Sequence, residues 1–150
     1  MLSGSPGIDA GTTANAPATD FDGVSRPLDG NTNSTARFDI GAFEFVNPLA
    51  DTDRDRMLDV AEIIAGTNPT DAASALRLSV HLLSLENRVA LRWPSLMGRT
   101  YAIKFRPLPG LTGVWQAGVS NVAGSGALLE WRDAVTGATS RFYRLSVTKD

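Results

Sequence analysis

Five carboxylates fall in a single run of the chain, Asp51-Thr52-Asp53-Arg54-Asp55-Arg56-Met57-Leu58-Asp59-Val60-Ala61-Glu62. Their relative positions are 1, 3, 5, 9 and 12, the ligand spacing of an EF-hand calcium loop. Calcium is a hard cation that takes about six to eight oxygens, and short acidic side chains at alternate positions can wrap it while the chain turns. In that arrangement Asp51, Asp53 and Asp55 each give an oxygen and Met57 gives its backbone carbonyl. Asp59 acts directly or through a water, and Glu62 closes the site with both of its oxygens.

A capped helix accounts for part of the same run. Asp59 can serve as an N-cap, with Glu62 as its capping-box partner ahead of the apolar residues Ile63, Ile64 and Ala65. That leaves Asp51, Asp53 and Asp55 crowded, with only Arg54 and Arg56 nearby to compensate. Neighbouring exposed carboxylates repel by about 1 kcal/mol per pair at ~4 Å in water, and a divalent cation removes the repulsion. The spacing therefore favours calcium. One position departs from the pattern: position 6 normally holds Gly because the turn there needs positive φ, and here it is Arg56. A side chain in the left-handed region costs roughly 1–2 kcal/mol, which weakens the expected site without abolishing it.

The loop and the residues after it, Gly66-Thr67-Asn68-Pro69-Thr70-Asp71, resemble the bacterial version of the thrombospondin type 3 repeat. The resemblance implies a calcium loop with a short exit helix in a secreted or cell-surface protein. The elements that would position the loop read simply. Val46-Asn47-Pro48-Leu49-Ala50 is a linker, and a helix runs from about Leu58 to Ala65. Its expected buried stripe is Met57, Val60, Ala61 and Ile64, and Gly66 stands where a glycine ends a helix.

Composition narrows the remaining chemistry. The chain has 150 residues, 43% hydrophobic and 20% charged, with a net charge of −2; this is ordinary for a globular protein and gives no electrostatic case for nucleic acid. Asp outnumbers Glu by 12 to 4, a skew that suits turns and metal loops rather than helices. There is no cysteine, which excludes disulfides, zinc–thiolate sites and cysteine nucleophiles. No stretch approaches the ~18 apolar residues of a membrane helix, and the first residues lack the basic and apolar regions of a signal peptide.

Residues 1–47 are rich in Gly, Asp, Asn, Thr and Pro, and only Phe38 to Phe45 reads as a strand, with Phe43 and Phe45 on one side. Three ordered motifs stand in this stretch: Ser5-Pro6-Gly7-Ile8-Asp9-Ala10-Gly11, Thr19-Asp20-Phe21-Asp22-Gly23-Val24-Ser25-Arg26-Pro27, and Asp39-Ile40-Gly41-Ala42-Phe43-Glu44. Together they resemble the C-terminal end of bacterial right-handed parallel β-helix proteins of the choice-of-anchor type. The resemblance implies that preceding β-helix coils are the partner of this segment, because a solenoid end needs neighbours to bury its face. Asp9, Asp20, Asp22 and Asp39 can form a second oxygen site or cap turns through Asx hydrogen bonds, and the turn-capping reading is preferred.

From Leu76 the period changes to two. Leu76, Leu78, Val80 and Leu82 alternate with polar residues, as do Val89, Leu91 and Trp93, then Tyr101, Ile103 and Phe105. A loop at Pro107–Gly113 leads to Val114-Trp115-Gln116. Further strands are expected at Val119–Ala123, Ala127–Trp131 and Arg141–Thr148, with turns at Gly124–Gly126 and Asp133–Gly137. Six or seven short strands at this spacing predict an antiparallel β-sandwich. Leu91-Arg92-Trp93-Pro94, Gly98-Arg99-Thr100-Tyr101, Trp115 and Arg141-Phe142-Tyr143-Arg144-Leu145 resemble a Verrucomicrobia-type C-terminal β-sandwich found on large secreted proteins. Trp93 and Trp131 read as core, and Trp115 is the one indole placed to stack on a sugar, although packing is preferred for it too. His81, the single histidine, lies on the polar face of a strand, and no Gly-x-Ser-x-Gly elbow, P-loop or Gly-x-Gly-x-x-Gly is present.

The sequence thus predicts a mainly β chain in three parts. Residues 1–47 form the end of a parallel β-helix, 48–75 a connector with the calcium loop and one short helix, and 76–150 a sandwich. The expected function is a non-catalytic, calcium-binding structural or interaction region of a secreted or cell-surface bacterial protein. The alternative is a carbohydrate-binding module of a β-helix polysaccharide lyase or hydrolase, its partner a polysaccharide or cell-surface component.

Overall fold

After Leu76 the alternating pattern folds into six antiparallel strands: β1 (Ser79–Leu83), β2 (Arg88–Pro94), β3 (Arg99–Arg106), β4 (Gln116–Ala123), β5 (Leu128–Ala134) and β6 (Phe142–Lys149). They form two three-stranded sheets, ordered β1-β2-β5 and β4-β3-β6, consistent with the expected β-sandwich. This is a computed structural model; it describes residues 1–107, 114–135 and 140–150. The chain divides into two units, Met1–Ala75 and Leu76–Asp150.

The core of the second unit is Val89, Leu91 and Trp93 from β2 with Tyr101 and Ile103 from β3, all buried. Val119, Leu129, Trp131, Tyr143, Leu145 and Val147 pack around them. These are the inward positions of each alternation, and the register keeps them there; Leu91, for example, pairs with Trp131, and Ile103 with Leu145. Gly118 in β4 has no side chain because Trp131 fills the space, a Cβ there falling 2.7 Å from the indole. Trp93 is buried and Trp131 is half-buried, so both are core residues as predicted.

Two expectations for this unit are corrected. β1 begins at Ser79, not Leu76, and Val80 and Leu82 are 54% and 71% exposed. β1 is an edge strand, paired only with β2, so its apolar side meets little of the core; Leu76 and Leu78, ahead of it, pack there instead. Asp133 and Ala134, expected in a turn, continue β5 opposite Val89 and Arg88. The rest of that turn from residue 136, and the Pro107–Gly113 loop from residue 108, lie outside the described residues.

The first unit is built differently. It has one helix, α1 (Asp59–Ala65), and two isolated β-bridges, Thr19 to Ser25 and Leu28 to Arg37. The strand expected at Phe38 to Phe45 does not form. Its own acids compete for the backbone: Asp39 Oδ2 accepts from Phe45 N–H at 2.6 Å, and Glu44 Oε1 accepts from Asp39 N–H at 3.1 Å. These local bonds replace a strand ladder.

The interior of this unit is unusually acidic. Its buried apolar side chains are Leu28, Ala50, Ala65 and Pro69, while Asp9, Asp20, Asp29, Asp39, Glu44, Asp59 and Glu62 are all buried. Only one buried cation answers them, Arg26, which donates to Glu44 at 2.5 Å and to the Asp39 carbonyl at 2.9 Å. Most of the acids act as cross-links between loops. Asp20 accepts from the N–H groups of Asp22, Val24 and Glu44, and Asp29 from those of Asn33 and Ser34. Asp39 also accepts from Asp9 N–H. The turn-capping reading therefore fits Asp20, whereas Asp39 links segments distant in sequence. No helix among the described residues is long and apolar enough to cross a membrane.

Candidate metal centre

The acidic run folds as a tight loop that binds its own amides. Asp51 accepts from Arg54 N–H at 2.8 Å and from Arg56 N–H at 3.0 Å. Asp53 accepts from Asp55 N–H at 3.1 Å, and Asp55 from Met57 N–H at 2.7 Å. These successive turns put one carboxylate oxygen from each of Asp51, Asp53 and Asp55 within 4.8 Å of the others, a cluster that can hold a metal ion. At that separation each carboxylate pair repels by about 1 kcal/mol in water and by roughly 3 kcal/mol at an effective dielectric near 20. Arg56 adopts φ +81°, the left-handed conformation expected at position 6, and Arg54 adopts φ +65°.

The capped-helix alternative fails. The N-cap of α1 is Leu58, which makes no side-chain cap bond, and Asp59 is the first residue inside the helix. Asp59 turns both oxygens to Thr52, accepting from its N–H and its hydroxyl at 2.7 Å each. The Thr52 hydroxyl in turn accepts from Asp29 N–H at 3.0 Å. Asp59 is not part of the Asp51, Asp53 and Asp55 cluster, which fits the water-mediated role, the second of the two its spacing allows. Met57 is half-buried where the loop meets the helix.

The face that α1 buries is also not the expected one. Asp59, Glu62 and Ala65 are buried, whereas Ile64 is 36% exposed and Val60 and Ala61 are half-buried. The spacing of three is helical, but two of the three residues are acids. Bonds to Thr52 and Thr67 hold them inward, and those bonds outweigh the apolar pattern.

Glu62 is fully buried. Oε1 accepts from the Thr67 hydroxyl at 3.1 Å, and Oε2 has no hydrogen-bond partner. Gly66 makes this possible: at φ +80° it ends the helix, donates to Glu62 C=O at 2.6 Å, and turns Thr67 back toward the carboxylate. Burial pushes the Glu62 carboxyl up to about 7, the Thr67 bond opposes this, and the charges of Asp53, Asp55 and Asp59 raise it further. Asp53 is also raised, first by burial and then by Asp55, Asp51 and Asp59, and its Oδ2 is buried without a partner. Asp59 is raised by burial as well. Two buried carboxylate oxygens without partners and three acids raised by burial and by one another concentrate negative potential in this loop.

Three residues escaped the sequence reading: Thr52, Thr67 and Asp29. Hydroxyls that orient buried carboxylates have no spacing signature, although Thr67 lies inside the Gly-Thr-Asn-Pro ending already singled out. Burial raises both Asp9 and Asp59, and the Asp29 charge adds to each, a relation across the fold that no local pattern reveals. Elsewhere, His81 is exposed on β1. Trp115 is half-buried, with the Arg106 and Arg144 guanidinium groups 4.9 Å and 5.9 Å from its ring centre. Arg141 bonds to Asp133, which also accepts from the Tyr143 hydroxyl at 2.9 Å. No family model, curated protein or solved structure matches the chain.

Proposed function

We propose that residues 51–62 bind calcium, and that the chain is a non-catalytic structural region of a secreted or cell-surface protein whose first unit the ion holds together. The observation that carries this reading is Glu62, a fully buried carboxylate with a free oxygen and a carboxyl pushed up to about 7, coupled to the Asp53 and Asp55 charges. A buried acid in a packed interior is ordinarily paired or fully hydrogen-bonded. Asp51, Asp53, Asp55, the Met57 carbonyl and Glu62 supply the hard oxygens that calcium prefers, with Asp59 as a support for Thr52 and a water-mediated ligand. An all-oxygen, carboxylate-rich donor set without histidine or thiolate suits calcium over zinc or copper.

The ion would replace the missing apolar core. With few buried hydrocarbons in residues 1–75, area burial contributes little, and bound-ion free energy adds directly to folding. The β-helix resemblance of residues 1–47 supports placing this unit against preceding coils of a longer protein. Phe21, Ile40 and Phe43, 80%, 60% and 44% exposed, offer an apolar surface for such packing.

Titration calorimetry tests the reading. Calcium should bind at one site with a dissociation constant of about 10⁻⁴ M, within the extracellular range. Asp53→Ala and Glu62→Ala should each remove most of the heat. Equal heats from the wild type and both variants would contradict it.

A further inference from the structure

The net charge of −2 conceals a division between the two units. Residues 1–75 hold 12 acids and 4 bases, a formal charge of −8, while residues 76–150 hold 4 acids and 10 bases, a formal charge of +6. Part of that excess gathers on one sheet face. Tyr101 and Ile103 of β3 point into the core, so Lys104 and Arg106 fall on opposite and alternating positions, with Lys104 exposed on the outer side. The register sets Lys104 directly across from Arg144 on one side and Ala117 on the other, and Arg106 across from Phe142. Lys104, Arg106, Arg144 and Phe142 thus share the outer face of the β4-β3-β6 sheet. Trp115, just ahead of β4, joins them, its ring 4.9 Å from Arg106 and 5.9 Å from Arg144.

Like charges directly opposite on antiparallel strands are destabilising. No ion pair among the described residues uses Lys104 or Arg144; the acids of this unit that form ion pairs serve Arg92, Arg132 and Arg141. The face therefore carries an uncompensated cationic pair beside an indole that orients guanidinium groups.

We propose that this face binds an anionic carbohydrate polymer, a polyuronate, through Lys104 and Arg144 to its carboxylates and through the exposed Phe142 ring to the apolar faces of its sugars. Charge complementarity selects a polyanion, and guanidinium groups match planar carboxylates. A sugar polymer fits better than duplex nucleic acid because the face is a sheet surface of three strands, not a helix or two-stranded ribbon that enters a groove. This proposal is independent of the calcium loop.

The test is titration of the full chain with polygalacturonate in calcium-free buffer containing a chelator, so that no ion at the loop or on the polymer contributes. A neutral dextran and a single-stranded oligonucleotide serve as comparisons. Binding to polygalacturonate should be measurable, weaken with salt, and fall at least about ten-fold in the Lys104→Ala/Arg144→Ala double variant. That variant should melt no lower than the wild type, because it removes a like-charge pair. Absence of binding, equal binding by the double variant, or tighter binding of the oligonucleotide than of polygalacturonate would each overturn the proposal.

Discussion

Arg56 and Glu62 show how single residues set the properties of the loop. Arg56 holds φ +81°, a conformation that costs a side chain roughly 1–2 kcal/mol. Arg56→Gly should remove about 1–2 kcal/mol of strain and give back roughly half of it as backbone entropy of the unfolded chain. The ion-free first unit should gain about 0.5–1 kcal/mol in calorimetric unfolding; a loss of stability would contradict the turn assignment. For Glu62 the sign follows from its raised carboxyl. Between its ordinary 4.5 and its folded value of about 7, the folded chain keeps a proton that the unfolded chain has lost. Ion-free stability should therefore fall as pH rises through that window, by up to roughly 3 kcal/mol, and level off above it. The raised Asp53 and Asp59 act in the same sense. Thermal unfolding in chelator across the window should show this slope, Glu62→Gln should flatten it, and saturating calcium should reverse it by favouring the carboxylate. A wild type more stable at pH 8 than at pH 5 in chelator would refute the assignment.

The elements differ in how far their sequences announce them. β2 and β3 were legible because their large apolar residues alternate, and Val89, Leu91, Trp93, Tyr101 and Ile103 are the core, with Ala90 buried between them. β1 misled because an edge strand can carry the same alternation without a layer to cover it. α1 was legible in its extent and its Gly66 stop, but not in its buried face, since Thr52 and Thr67 attach from outside the helix. Likewise Phe38 to Phe45 alternates like a strand, yet Asp39 and Glu44 claim its amides. Substitutions separate these cases. Leu91→Ala should destabilise the second unit by about 2–5 kcal/mol, whereas Leu82→Ala, at an exposed edge position, should stay within about 0.5 kcal/mol. All three tryptophans lie in that unit, so their fluorescence during urea unfolding reads it alone. Comparable losses from both variants would contradict the packing described for β1 and β2.

Across the whole molecule, two units rest on different physics. Residues 76–150 bury a conventional apolar core, and residues 1–75 bury acids beside an Asp51, Asp53 and Asp55 cluster that could hold a metal ion. The acid spacing pointed to the three aspartates that meet, Asp51, Asp53 and Asp55, while the acidic interior behind them was invisible to composition, because buried and solvated aspartates look alike in a sequence. The central claim is that calcium, rather than apolar burial, holds the first unit together, and hydrogen exchange with and without calcium tests it most directly. Calcium should raise amide protection across residues 50–70 and across 29–34, which are tied to the loop by the Asp29–Thr52 and Arg54–Ser34 bonds, and should leave residues 76–150 unchanged. Protection that stays the same over residues 50–70, or rises equally in both units, would contradict it.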